Sequence, residues 1–208
     1  MKKPTAAALD ISTEERIKEA ARKMFLQKGY AATRVRDIAQ EAGINIALLN
    51  YYFRSKEKLF DLVMLEKLQQ FAGELRHIMQ EETTSLLEKV ARFADFYIDL
   101  LLAQPELPLF IFSELRANPE KLASTIGVKK VVQESRFAEQ LRAELAANHN
   151  PANPLQLVMS LMGLAVFPFV ARPLLQVIGG LEDAMFAAMM QERKRLLPQW
   201  FGAMLKAV

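Results

Sequence analysis

Apolar residues recur along this chain at intervals of three and four, the spacing that gives a helix one buried face. Ile17, Ala20, Ala21, Met24 and Phe25 make the first such stripe. It follows Ser12-Thr13-Glu14-Glu15, a capping box in which Ser12 accepts from the amide of residue 15 while Glu15 reaches back, and it stops at Gly29. Thr33 suits the N-cap of a second helix with Val35, Ile38 and Ala42 apolar. Gly43 ends that helix, where a residue able to take positive φ is needed. Asn45 caps a third helix, roughly 46–52. Ser55 caps a long fourth one through Leu59, Leu62, Val63 and Leu68 towards Gln80.

Beyond Thr83-Thr84 comes a helix of about five turns with Leu87, Val90, Ala94, Tyr97, Ile98 and Leu101 inward and Glu88, Arg92, Asp95 and Asp99 opposite. Pro105 and Pro108 open a short helix that Asn118-Pro119 closes. A further helix spans about 127–147, then a loop from Asn148 to Pro154. Two last helices, about 155–178 and 181–205, are separated by Gly179-Gly180. No segment alternates convincingly as a strand does, and no repeat is visible, so the pattern predicts an all-α fold. Pro168 should kink its helix. Leu157 to Ala171 is nearly all apolar, but Arg172-Pro173 closes it well short of the ~20 residues a membrane helix needs. It reads as a helix buried on most sides.

Composition supports this picture and narrows it. Half of the 208 residues are hydrophobic, enough for a substantial core. There is no cysteine, which excludes disulfides, thiolate metal sites and a cysteine nucleophile, and suits a reducing cytoplasm. Lys2 and Lys3 are not followed by an apolar run long enough for a signal peptide, so the first residues read as a flexible arm. Residues 1–60 carry 12 Lys and Arg against 7 Asp and Glu, while the whole chain has a net charge of only +3. A basic head on a slightly acidic body suits a polyanion-binding unit. His77 and His149 are far apart with no second ligand at helical spacing, and there is no glycine-rich phosphate loop. The expectation is no enzyme, no metal and no cofactor.

The densest signal lies between Arg34 and Phe60. Counted from Val35, the fifth position is Ala39, small where two helices touch. The ninth is Gly43, at the turn, and the fifteenth is Leu49, apolar where the second helix meets the core. This is the spacing of a helix-turn-helix, though an ordinary αα-hairpin shares it. Residues 12–60 also resemble the N-terminal domain of the TetR/AcrR family of transcriptional regulators. The matching elements are Ala20-Ala21, Phe25, Gly29-Tyr30, Thr33, Val35-Arg36-Asp37-Ile38-Ala39, Ala42-Gly43-Ile44, and the run from Leu49 through Tyr51-Tyr52-Phe53 to Lys58-Leu59. The resemblance implies three N-terminal helices that bind DNA. It also implies a larger helical domain that dimerises and usually takes a small effector.

Residue chemistry assigns roles within that frame. Thr33 offers a hydroxyl and an amide to a phosphate at the start of the second helix. Arg36 can reach a guanine edge or a phosphate, and Arg34 a phosphate. Tyr51 and Tyr52 offer phenols to the backbone, with inward packing the alternative for Tyr52. Lys56 combines an ammonium with a helix N-terminus on one phosphate. Leu49 and Phe53 belong to the core. The recognition face, with Asn45 at its cap and Ile46, Ala47 and Asn50 outward, is unusually apolar for the family. Asn pairs bidentately with adenine and aliphatic groups touch thymine methyls, so A·T pairs are expected beneath it.

The rest of the chain resembles the family only in helix order and length. Leu157, Leu161, Leu164 and Ala165 on one late helix and Leu181, Met185, Ala188, Met189 and Leu196 on the other form stripes suited to an intersubunit bundle, or to an intrachain core. Gly163 could allow close helix approach. Phe93, Phe96, Tyr97, Phe110, Phe112, Met159, Met162 and Phe167 supply material for an apolar effector pocket, although such residues mostly just pack. The expectations are a helix-turn-helix domain over 1–54 and an effector-binding and dimerisation domain over 55–208. Function follows as a cytoplasmic, homodimeric, ligand-responsive repressor on a palindromic operator, with an unknown, largely apolar effector. The alternatives are a DNA-binding regulator whose body serves only dimerisation or protein contacts, and a helical interaction module that has lost DNA binding.

Overall fold

The computed structural model describes residues 6–206, with side chains from Thr13 onward. The first five residues of the expected arm and the side chain of Ser12, expected to cap the first helix, lie outside those limits, while the rest of that arm, from Ala6 on, is helical. The backbone around Ser12 is helical, and the first helix already begins at Ala6. Among the described residues all regular structure is helical: α1 (Ala6–Ala32), α2 (Val35–Glu41), α3 (Ile46–Phe53), α4 (Lys56–Gln80), α5 (Leu86–Ala103), α6 (Leu107–Ala117), α7 (Pro119–Ile126), α8 (Val128–Gln133), α9 (Arg136–Ala147), α10 (Pro154–Val170), α11 (Arg172–Gly179) and α12 (Asp183–Lys206). No single described helix is long and apolar enough to cross a membrane. The chain divides into two compact units, residues 1–67 and 68–208.

In the first unit the expected stripe of α1 is the core. Ile17 and Ala21 are fully enclosed, as are Ile38 of α2, Leu49 of α3 and Leu59 of α4. Beside them an ionic cluster ties α1 to α4. Lys18 donates to Glu15 at 2.6 Å and to Glu66 at 3.2 Å, and Arg22 bridges Glu19 and the other oxygen of Glu66. Burial opposes charge on Glu66, but the hydrogen bonds from Arg22 and Lys18 win and hold its carboxyl below the usual range.

In the second unit α5 packs most extensively on α12. Ser85 and Glu88 form a reciprocal capping box that starts α5. Lys89, fully enclosed, turns its ammonium back onto Thr84, donating to its carbonyl at 2.8 Å and its hydroxyl at 2.7 Å, and onto the Glu81 carbonyl just past α4. Asn150 does the same for the last helix. Its amide donates to the carbonyls of Met204 and Leu205 at 3.0 and 3.1 Å, at the end of α12.

Three late segments differ from the sequence expectation, each for a local reason. The helix expected over 127–147 is two, α8 and α9. Buried Ser135 bonds the Val131 carbonyl and accepts from the Ala138 amide, closing one helix and opening the next. Pro119 both ends α6 and opens α7, since proline is tolerated at the first helical position. The helix expected over 155–178 breaks into α10 and α11, bent by 66°. That bend falls at Ala171, beyond Pro168, which lies within α10. Pro168 has no N–H to give the Leu164 carbonyl four residues back. Arg193 of α12 supplies the missing donor, its Nε lying 2.7 Å from that oxygen.

Candidate nucleic-acid interface

The device that sets the geometry of the first unit is a break in α1. Gly29 adopts φ 73° and ψ 167°, outside the helix, and the chain turns there towards α2. An L-residue is strained at that φ, so glycine belongs here. Tyr30 then packs its ring against Phe60 and Phe25, with centroids 4.6 and 6.0 Å away. The N-cap of α2 is Arg34, one residue beyond the expected Thr33. Its N–H donates to the Asp37 carboxylate at 3.1 Å, and Lys28 pairs with the same carboxylate. The backbone bond from Arg34, then Lys28, hold Asp37 below its ordinary pKa.

The turn between α2 and α3 is a Schellman motif. Ile44 N–H donates to the Ala39 carbonyl at 3.0 Å and Gly43 N–H to Gln40 at 3.1 Å, with Gly43 at φ 65°. Arg16 of α1 bolts this turn in place by donating to the Ala42 carbonyl at 2.6 Å. Asn45 caps α3 as expected, accepting from the Leu48 amide at 2.7 Å. With Leu49 and Phe53 in the core, the opposite side of α3 is solvent-facing. Ile46, Ala47, Asn50 and Tyr51 are exposed, Tyr51 by 77%. Tyr52 is half-buried, its ring edge-on to Tyr51 at 5.5 Å. Arg34 and Arg36 are exposed at the start of α2.

Two residues expected to face a phosphate are turned inward. Thr33 is 1% exposed. Its hydroxyl lies 2.7 Å from the Gly29 carbonyl and 3.1 Å from that of Met24, and its amide also faces Gly29. Lys56 directs its ammonium to the carbonyls of Tyr30 and Thr33, at 2.9 and 3.0 Å, and lies 4.1 Å from the centre of the Tyr30 ring. Sequence gave no access to these directions, because they depend on the Gly29 break that brings both carbonyls to the head of α4. A cation passed over in the sequence stands nearby. Arg54, exposed between α3 and α4, has φ 60° and ψ −38°. Ser55 N–H donates to the Phe53 carbonyl at 2.6 Å across it, forming a γ-turn. Its place in the run Phe53-Arg54-Ser55-Lys56 was the available signal.

In the second unit some of the expected pocket residues cluster and others are dispersed. A cavity of about 180 Å³ is lined by Phe71, Leu75, Met79, Phe93, Ile126, Val128, Val131, Val132, Phe137, Val158, Leu161 and Met162, with no polar surface. Of the eight residues expected, only Phe93 and Met162 line it. Tyr97, buried, stacks on Phe93 at 5.1 Å and half-buried Phe96 on Phe71 at 5.9 Å, both next to the lining, while Phe110 is buried without lining it. Phe112, Met159 and Phe167 are exposed, by 45%, 54% and 62%. The stripes expected between subunits are also redistributed. Leu157, Leu161 and Ala165 are intrachain core, and Leu164, Leu181 and Leu196 are half-buried. The solvent-facing row of α10 is instead Leu155, Met159, Gly163 and Phe167, while Met185, Ala188 and Met189 are exposed on α12.

A short helix buried on one side, exposed on the other, and joined to its predecessor by a glycine turn has the geometry of a helix-turn-helix. The profile described as bacterial regulatory proteins, tetR family, matches residues 17–63. The HTH-type transcriptional repressor NicS of Pseudomonas putida is 34% identical over 147 residues, 66% of this chain and 69% of its own. The HTH-type transcriptional regulator YttP of Bacillus subtilis is 40% identical over 58 residues, 28% of either chain. A TetR-family regulator from Mesorhizobium loti has the same fold over 96% of this chain and 98% of its own, at TM-score 0.56 and 20% identity. So does the regulator FadR of Bacillus subtilis, solved in complex with stearoyl-CoA, over 88% of this chain and 97% of its own, at TM-score 0.51 and 19% identity. The chain belongs to the TetR family and is a DNA-binding transcriptional regulator, not an enzyme.

Proposed function

We propose that this chain is a cytoplasmic, ligand-responsive repressor that binds a roughly palindromic operator as a homodimer. The observation that carries the reading is the outward face of α3, where Ile46, Ala47, Asn50 and Tyr51 stand exposed while Leu49 and Phe53 anchor the helix behind them. Asn50 and the aliphatic groups read A·T pairs in the major groove. Asn45, Arg34, Arg36, Tyr51 and Tyr52 contact the backbone or adjoining bases. A two-fold dimer demands two-fold DNA. The second copy docks on the exposed rows of α10 and α12, which are more apolar than a solvated face needs to be. Gly163 supports this, since a Cβ there would meet nothing within 4 Å of its own chain and a partner helix gains close approach.

The effector site is the apolar cavity of the second unit. Its 180 Å³ exceeds the ~150 Å³ cavity that accepts benzene and falls below the ~300–1,000 Å³ of drug-sized sites. The ligand it takes as it stands is compact and uncharged. A stearoyl-CoA, as FadR holds, would need the cavity to open. A ligand that fits one spacing of the two heads better would shift the dimer off its operator. Its differential affinity would pass along α4, the helix that runs through both units. The small cavity also favours a second reading, a regulator with no small effector.

Retention of operator DNA during titration with small neutral aromatic and alicyclic compounds tests the two readings. Release by at least one compound, abolished when Val132→Phe fills the cavity, supports the first. Release by no compound at any soluble concentration supports the second, and release that survives Val132→Phe places the effector outside this cavity.

A further inference from the structure

We propose that α11 is an intersubunit arm whose outward apolar face is buried against a second copy of this chain. The inference rests on the homodimer reading and extends the contact to an element outside the two long helices already placed in it. Leu174, Val177 and Ile178 of α11 are exposed by 59%, 82% and 75%. Val177 is the most exposed large apolar side chain among the described residues, and no residue of α11 is buried. The three stand at i, i+3 and i+4, so they share one side of the helix.

A surface helix normally turns its apolar stripe inward and its polar side to water. In α11 the polar side is the one tied to the rest of the chain. Arg172 and Gln176, one turn apart, donate to the same carboxylate oxygen of Asp183 at the head of α12, at 2.8 and 2.6 Å. The Arg172 guanidinium also lies 4.9 Å from the centre of the Phe186 ring. Backbone bonds fix both ends of the helix. Leu175 N–H donates to the Ala171 carbonyl at 2.9 Å, and Leu181 N–H to the Gln176 carbonyl at 3.1 Å, past Gly180 at φ 58°. The chain therefore holds its own apolar row outward, where water opposes it unless another surface covers it.

Position and size select the second copy as that surface. α11 packs on α10 and is bonded to the head of α12, so it lies beside the two helices whose exposed rows form the proposed dimer face. Those rows supply five large apolar side chains: Leu155, Met159, Phe167, Met185 and Met189. A standard interface takes about 20–30 residues a side, and homodimer interfaces are about 65% apolar. Three more side chains, two of them more exposed than any of the five, widen a narrow apolar core towards that size. Under two-fold symmetry each subunit presents its arm to the other. A lipid surface fits less well, because interfacial helices carry several Lys or Arg on the polar face. Here α11 has only Arg172, already paired with Asp183.

The chain has no cysteine, so a single Val177→Cys thiol reports on this face alone. The test is the rate at which a fluorescent maleimide alkylates that thiol in the full chain, across a protein dilution series whose dimer fraction is measured by analytical ultracentrifugation. In the dimer the rate should fall roughly tenfold or more below that of the same protein unfolded in urea, since thiol chemistry depends on access. It should rise in step with the monomer fraction on dilution. Val177→Glu, which would bury an unpaired carboxylate, should raise the dimer dissociation constant roughly tenfold or more and leave the melting of the monomer unchanged. A thiol that reacts in the dimer at the unfolded rate would overturn the proposal and leave the face to a different protein or a lipid surface. Protection that persists in the monomer would also overturn it, because the chain would then cover the face itself. A wild-type chain that stays monomeric at every concentration would instead sink the dimer reading, and the arm with it.

Discussion

Asn50 is the one exposed amide on the recognition helix beyond its cap, and the residues beside it, Ile46 and Ala47, can offer only methyl contact. Selectivity should therefore concentrate at a few A·T pairs. Asn50→Ala should relax discrimination at one operator position by about 1–3 kcal/mol, read from affinities for single-base variants of the operator. Equal weakening on all variants would mean that Asn50 reads no base. At this scale residue types were legible in the sequence and directions were not. Asn45, Leu49 and Phe53 stand where their spacing put them. Thr33 and Lys56 have the polar groups expected at their positions, but those groups point at carbonyls, because the break at Gly29 moves the ends of α1 and α2 relative to α4 within the first unit.

Helix ends were readable where a side chain or a glycine makes them. Gly43 at φ 65° and the Asn45 cap show this. They were not readable where a tertiary contact makes them. Ser135 splits α8 from α9 with no acidic partner three residues on to announce a capping box. Pro168 foretold a kink, and the structure shows how α10 carries it instead, with Arg193 of α12 donating to the carbonyl that the proline leaves open. Arg193 is partly buried, which pulls its pKa down, and it also lies 4.9 Å from the centre of the Trp200 ring. Arg193→Ala should leave the Leu164 carbonyl unsatisfied and cost about 1–3 kcal/mol of stability, measured by denaturant unfolding. A loss well under ~0.5 kcal/mol would mean that solvent replaces the guanidinium at that oxygen.

The whole molecule joins a DNA-reading unit to a helical body through one continuous helix. Which side of each late helix faces outward could not be read from the chain, because α10 is apolar nearly all round and periodicity cannot choose between its faces. The sequence stripe of Leu157, Leu161 and Ala165 became core, and Met159 and Phe167, expected in a pocket, became surface. This yields a separable prediction. Phe167→Glu should shift the chain from dimer towards monomer in analytical ultracentrifugation with little change in fold. Leu161→Ala should cost about 2–5 kcal/mol in stability while the dimer persists at low temperature. A Phe167→Glu chain that stays dimeric would remove α10 from the interface.

In the proposed complex α3 of two subunits reads a two-fold operator. The most direct measurement is genome-wide mapping of the sites this protein occupies in its source organism, followed by in vitro binding to the recovered sequence. The expected result is an inverted repeat whose half-sites carry A·T pairs at the positions sensitive to Asn50→Ala. Occupied sites with no two-fold symmetry, or no sites above background, would contradict it.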